Sequence, residues 1–284
     1  MATELAARLD VAQLPEVVHV RPRVGLGRVW SSLWPKLAAI ALSLSAWQAL
    51  VWSGWQPDYV LPGPGPVLVR LAHDLSSTSF DLGIATTLRR GLAGYAIAVA
   101  IGSLAGLAIA RVPILRKAVG SAILGLQSMP SIAWFPFAIM LFGLNETAIF
   151  FVVILGAAPA IAGGLLSGVD HVQPLLVRVG RVMGARGLRL YRHVILPASL
   201  PAYVGGLKQG WAFAWRSLMA GEIIGTVSHQ VSLGQQVQFA RDFSDMEQML
   251  AILIVIFVIG VVVDGLFGAF DRAVRRRWGL EGEA

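Results

Sequence analysis

The chain has 284 residues, of which 56% are hydrophobic and 14% charged, and its mean hydropathy is +0.69. So little polar residue cannot cover a soluble globule of this size, which excludes a soluble enzyme or binding module and implies a protein immersed in lipid. The absence of cysteine excludes disulfides, thiol chemistry and Cys-ligated metals, while a net charge of +7 would point to nucleic acid only if the cations were clustered on a soluble surface.

Residues 1–33 mix Glu4, Asp10 and Glu16 with Arg8, Arg21, Arg23 and Arg28 and lack the leading apolar core of a cleavable signal peptide, so a cytosolic N-terminal arm is expected. A spanning helix needs roughly 20 mostly apolar residues. Six segments reach or approach that length, at 34–53, 82–110, 115–142, 147–169, 199–225 and 247–270. The fifth carries Lys208, Arg216 and Glu222, yet without it the two most basic loops would fall on opposite sides of the membrane.

Lys and Arg concentrate in the cytosolic loops of membrane proteins. Here Arg8, Arg21, Arg23, Arg28 and Lys36 precede or open the first span, and Arg111, Arg116 and Lys117 lie between the second and third. Arg178, Arg181, Arg186, Arg189 and Arg192 lie between the fourth and fifth, and Arg272, Arg275, Arg276 and Arg277 follow the sixth. The opposite loops hold only Arg70 and Arg241. Six spans with both termini in the cytosol fit this asymmetry, which accounts for the basic charge without nucleic acid. Residues 34–271 then form one all-α polytopic domain, followed by a basic cytosolic tail, 272–284. Arg89 and Arg90, near the outer end of the second span, are expected to be headgroup anchors.

Two external segments carry local signals. After the proline-broken stretch 57–66, Val67, Leu71 and Leu75 recur at i, i+4 and i+8, which predicts a short amphipathic helix on the outer membrane face. Between the last two spans, Ser228 to Asp245 is polar and glutamine-rich, long enough to touch an external partner.

The cytosolic stretch 174–197 is basic and amphipathic. Pro174 suits a first helical turn, and from it Leu175, Val179 and Val182 form one stripe with Leu176 and Met183 beside it. Gly184-Ala185-Arg186-Gly187 permits a sharp corner. A second short helix places Leu188, Tyr191 and Ile195 on one face, and Pro197 is expected to stop it. On pattern alone this hairpin is either a docking surface or a helix leaning on anionic lipid headgroups.

Gly184-Ala185, then Tyr191, Val194 and Leu196-Pro197 keep the order and spacing of the cytosolic loop of membrane subunits of binding-protein-dependent ABC importers, the pattern E-A-A-x-x-x-G-A followed by an aromatic and I-x-L-P. The chain resembles that family, with Arg178, Val179 and Gly180 standing where the family has E-A-A. Leu61-Pro62, Pro130-Ser-Ile-Ala-Trp-Phe-Pro136, Phe142-Gly143, Gly168-Val-Asp170 with Pro174, and Ala220-Gly-Glu222 are similar to the branch that imports sulfonates, taurine, nitrate or bicarbonate. The resemblance implies a type I ABC importer permease fold and, through Arg181, Gly184, Ala185, Leu188, Tyr191, Val194, Leu196 and Pro197, coupling to a dimer of separate ATPase subunits. It also implies a permease homodimer, an extracytoplasmic substrate-binding protein, residence in a bacterial plasma membrane and transport of a small anion or organosulfonate. No cofactor is expected on this chain, since ATP and Mg belong to the partner and no phosphate-cradling G-x-x-x-x-G-K-[ST] occurs.

Inside the membrane, charged groups usually face a bundle interior or an aqueous cavity. On a helix over 199–226, Trp211, Trp215 and Glu222 share a narrow stripe, with Arg216 on an adjacent one. Arg216 either lines an anion path, where its planar fork of donors suits an oxyanion, or pairs with Glu222; the tryptophans either join that path or pack the helix. Pro130 and Pro136 free backbone carbonyls in the third span, tolerated where a cavity or neighbouring groups receive them. This makes Gln127, Ser128, Pro130 and Trp134 candidates for the path wall or for a packed kink. Asp264 and Asp271 either pair with loop arginines or stay solvated. An ion-coupled secondary transporter is the alternative, but it calls for an internal repeat and a carboxylate relay. A membrane enzyme calls for a catalytic set that the five scattered histidines do not form.

Overall fold

The computed structural model describes residues 26–225 and 230–278. Most of the N-terminal arm, the last six residues of the tail and part of the predicted external loop therefore lie outside the described residues. The chain divides into two compact units, residues 1–53 and 54–284. The first contributes one helix, α1 (Leu26–Trp52), with Pro35 inside it.

The second unit is helical throughout its described residues: α2 (Pro64–Asp74), α3 (Thr78–Arg111), α4 (Pro113–Ser128), a 3-10 turn (Ser131–Trp134), α5 (Phe135–Phe142), α6 (Glu146–Asp170), α7 (Pro174–Val182), a single turn α8 (Leu188–Leu190), a π-helical turn (Tyr191–Ile195), α9 (Leu196–Ile224), α10 (Leu233–Asp242) and α11 (Met246–Arg277). How each helix begins follows its sequence. Ser77, Asn145, Ser232 and Asp245 cap α3, α6, α10 and α11, their side-chain oxygens accepting from Phe80, Ala148, Gln235 and Gln248 N–H groups. Helices α4, α7 and α9 instead carry Pro113, Pro174 and Pro197 in the first turn, where the missing N–H has no intrahelical partner to lose.

Three helices, α3, α6 and α11, are long and apolar enough to cross a bilayer. Helix α9 has 29 residues but carries Lys208, Arg216 and Glu222. The predicted third span is interrupted: α4 ends at Ser128, and the chain turns through Met129 and Pro130 before the 3-10 turn and the eight residues of α5. Pro130 lacks the N–H that would continue α4 and forces Met129 into an extended conformation.

Helix α6 is the central element, packed against both α3 and α9. Close approach is possible because the facing positions are small. On α3, Thr87, Gly91, Gly94, Ala98, Gly102 and Gly106 form one buried line, and a Cβ on Gly102 would stand 2.6 Å from the Ala158 carbonyl oxygen. Where α9 crosses α6, a Cβ on Gly206 would come within 2.7 Å of the Gly164 Cα. Around these crossings Val153, Ile161, Trp211, Ala214 and Leu218 close the apolar core.

Two elements differ from their sequence expectations. The chain does not leave the helix at Pro197 but stays helical from Leu188 to Ile224. The π turn makes this possible: Leu196 N–H donates to the Tyr191 carbonyl, five residues back, so the register loosens just before the proline ring. Helix α2 does not lie alone on the membrane face; it packs on α11, with Val67 buried and Arg70 bridging its own Asp74 (3.2 Å) and Asp245 (3.1 Å) at the start of α11.

Gly206→Val is expected to lower the melting temperature of the detergent-solubilised protein by an amount corresponding to about 1–3 kcal/mol of overpacking. Gly205→Ala, whose added Cβ meets nothing within 4 Å, should melt at or slightly above the parent.

Candidate functional site

The loop between α6 and α9 folds into the predicted hairpin, and its corner explains the Gly-Ala pair. Gly184 N–H donates to the Arg181 carbonyl (3.0 Å) and Ala185 N–H to the Gly180 carbonyl (2.9 Å). This double closure of α7 places Gly184 at φ +84°, a conformation other residues adopt only with strain. Gly187, at φ +52°, then redirects the chain into α8.

The hairpin has two unlike faces. On the inner face Gly180, Leu190 and Ile195 are buried and Val194 is half-buried; a Cβ on Gly180 would stand 2.9 Å from Val194 Cγ2. Tyr191 also faces inward: its hydroxyl donates to the Ala110 carbonyl at the end of α3 (3.3 Å), and Arg111 stacks over its ring at 5.1 Å. Leu196 and Pro197, half-buried, begin α9. The outer face is apolar and uncovered, with Val182 89% and Met183 81% exposed alongside Leu175, Val179 and Leu188. Arg178 and Arg181 are exposed beside it, and Arg178 has no ion-pair partner among the described residues.

The other predicted group is only partly brought together. Gln127, Ser128, Pro130 and Arg216 line one cavity of ≈ 440 Å³ between the broken third span and α9. Within it Gln127 Nε2 donates to the Pro159 carbonyl (3.0 Å), Ser128 Oγ donates to the Gly125 carbonyl (2.8 Å), and Ser131 and Ser217 share a hydrogen bond of 2.5 Å. Arg216 Nε donates to the Ala212 carbonyl (3.1 Å), and the guanidinium lies 5.1 Å from the Phe213 ring centre. It meets no carboxylate among the described residues. Trp134 lies outside this cavity, half-buried edge-on to Phe137.

Trp211 and Trp215 belong to the core. They are 4% and 9% exposed and stacked on each other with ring centres 6.0 Å apart, while Tyr95 meets Trp211 edge-on. Trp211 is therefore a packing residue, and Trp215 reaches only the edge of a neighbouring groove.

Glu222 is not on an open path and does not pair with Arg216. Its side chain is fully buried and held by Arg90 Nη1 (3.3 Å), Thr87 Oγ1 (2.8 Å) and the Gly234 N–H (3.2 Å). Arg90 is 2% exposed, so it is no headgroup anchor; it spans from Glu222 to Glu146 at the start of α6 (2.8 Å). Thr87 Oγ1 also accepts from the Leu233 N–H (3.0 Å). This network ties α3, α6, α9 and α10 together. Sequence reasoning missed it because Arg90 and Glu222 are 132 residues apart, although an arginine in an apolar run was itself a signal that a partner exists. Arg89, by contrast, is exposed and donates to Gln230 (2.8 Å). Lys208 pairs with Asp264 (3.1 Å) and Asp271 with Arg275 (3.0 Å), so neither aspartate meets a hairpin arginine.

A helical core with three membrane-length apolar helices among its described residues and a corner-closed hairpin is the architecture of a transport permease. The chain belongs to the family of binding-protein-dependent transport system inner membrane components, matched over residues 98–276. A probable ABC transporter permease of Brucella melitensis is 30% identical over 83% of this chain and 94% of its own length. The taurine transport system permease of Escherichia coli is 28% identical over 86% and 90%, and a putative aliphatic sulfonates transport permease of the same organism is 27% identical over 78% and 83%. A chain of the inward-facing MetNI methionine ABC transporter shares the fold, with a TM-score of 0.57 at 21% identity over 73% of this chain and 96% of that one.

Removing one partner of a buried ion pair strands the other charge, at a cost of about 3–5 kcal/mol. Arg90→Ala should therefore abolish recovery of monodisperse protein or lower its melting temperature sharply. Glu222→Gln, which keeps hydrogen-bonding capacity, should cost less, and exposed Arg89→Ala should melt with the parent.

Proposed function

We propose that this chain is the pore-forming subunit of an ATP-driven importer. It crosses the membrane six times with both termini in the cytosol, pairs with a second copy, and receives a small anion or organosulfonate from an extracytoplasmic binding protein. A separate pair of ATPase subunits docks on the 174–197 hairpin. The taurine and aliphatic sulfonate permeases among its relatives support the substrate class.

The observation that carries this reading is the two-faced hairpin. Exposed Val182 and Met183 present large apolar surface to the cytosol, while Gly180, Leu190 and Tyr191 seat the opposite face on the membrane core. Exposed apolar patches of this kind mark interaction sites, and a helix laid into a groove is a standard way to cover them. A bare lipid-surface helix has no need of a fixed corner or a tyrosine tether. A carboxylate relay for an ion-coupled carrier has little to work with, because Glu222 is bound by Arg90 and Asp264 by Lys208.

Docking is tested by co-purifying the chain with its ATPase and measuring ATP-dependent uptake. Gly184→Glu, which puts a side chain on the φ +84° corner, and Val182→Asp, which charges the exposed face without touching the backbone, should each cut ATPase capture at least roughly tenfold. Both should abolish uptake while membrane insertion persists, and Val182→Asp should melt near the parent. Unchanged capture and uptake in both variants would overturn the proposal.

A further inference from the structure

Arg216 lines two cavities at once. On one side is the ≈ 440 Å³ space with Gln127 and Ser128; on the other a groove of ≈ 640 Å³ runs between α9 and α11, walled by Met219, Leu253, Ile256, Phe257 and Gly260. Among the described residues, the charged ones lining the groove are Arg216 and Asp264, and Asp264 is engaged by Lys208 at 3.1 Å. Gly260 lines the groove, and a Cβ there would stand 3.5 Å from Trp215 Nε1, an ordinary contact.

We infer that these two cavities form one bipartite site, in which Arg216 holds the head of an organic anion and the α9–α11 groove holds its apolar body. The inference rests on the importer reading and narrows it, because it gives this subunit a selectivity of its own. The head group is anionic because Arg216 commits Nε to the Ala212 carbonyl and leaves both terminal nitrogens without a carboxylate among the described residues. A guanidinium so placed in a membrane span is costly until an anion meets it, and its planar donors match the oxygens of a sulfonate. Gln127 lines the same cavity, its Nε2 donating to the Pro159 carbonyl. The body is apolar because the groove walls are: Met219, Leu253, Ile256 and Phe257 line it. Nitrate or bicarbonate would occupy the head cavity and leave the groove empty. A phospholipid offers the same combination of anionic head and apolar tail; the occupant inferred here is a small transported sulfonate, since the head cavity is walled by α4 and the turn after it rather than open along α11.

The test is calorimetric titration of the full-length chain in phosphatidylcholine nanodiscs with nitrate, methanesulfonate, taurine and butanesulfonate. Butanesulfonate should bind roughly 10- to 50-fold more tightly than methanesulfonate, from three further buried methylenes. Arg216→Gln should weaken every sulfonate about tenfold or more. Gly260→Leu should erase the preference for the longer chain while leaving methanesulfonate affinity within about twofold and melting unchanged, since its Cβ is accommodated. The inference is overturned by equal affinities for butane- and methanesulfonate, by taurine binding more tightly than butanesulfonate, or by no anion binding at millimolar concentration. It is equally overturned if anionic phosphatidylglycerol discs abolish butanesulfonate binding and Gly260→Leu has no effect, which places a lipid headgroup at Arg216. None of these outcomes alters ATPase capture by the hairpin, so the importer reading stands or falls separately.

Discussion

The ion pair between Arg90 and Glu222 anchors a buried polar network that joins α3, α6, α9 and α10. Two charges removed from water gain their mutual attraction only if every remaining donor and acceptor is also satisfied. Here Thr87 Oγ1 and the Gly234 N–H complete Glu222, and Glu146 completes Arg90. The geometry thereby dictates where α10 starts: Leu233 and Gly234 must present their N–H groups to Thr87 and Glu222, and a Cβ on Gly234 would run into the Glu222 side chain. One pair so fixes the registers of α3 and α9, the entry of α6 and the return of the chain after α9.

Below that cluster the core relies on shape more than on charge. The line of small residues on α3 and the Gly164–Gly206 crossing let three helix backbones approach closely, and close packing is what drives association where lipid is as apolar as the side chains. Trp211, Trp215 and Tyr95 then fill the wider spaces by edge and stacked contacts. Arg216 is exposed between the buried Trp215 and Ser217 of α9.

Features governed by local spacing were legible in the sequence. The stripe of Leu175, Val179 and Val182 and the Gly184-Ala185 corner lie within one or two turns, and periodicity with turn chemistry suffices for both. The long apolar runs of α3, α6 and α11 were equally plain. Partner choice was not. Adjacent stripes on α9 leave Glu222 open as a partner for Arg216, whereas its actual partner, Arg90, comes from a different helix, and no pattern within a span encodes which helix lies opposite. Pro197 misled for a related reason: a proline ends an ideal α-helix, but one π turn supplies the slack, and that adjustment depends on Leu190 and Ile195 being anchored beneath the hairpin. The split of the path candidates, with Gln127, Ser128 and Arg216 around a cavity and Trp211 in the core, likewise reflects helix rotation, which burial on both sides of α9 decides.

The continuity of the chain from Leu188 to Ile224 makes the hairpin and α9 a single lever. At about 1.5 Å per residue, Leu196 lies roughly 39 Å along α9 from Glu222 and Arg216 roughly 9 Å from it, and the helix runs unbroken between them with Pro201 inside it. A tilt of about 5° about a pivot at Glu222 would thus carry the Leu196 end sideways by roughly 3 Å, comparable to the length of one hydrogen bond, and Arg216 by less than about 1 Å. With its other end held through Glu222 by Arg90, Thr87 and Gly234, α9 has its pivot there, so a push at the hairpin moves the Leu196 end most and Arg216 least.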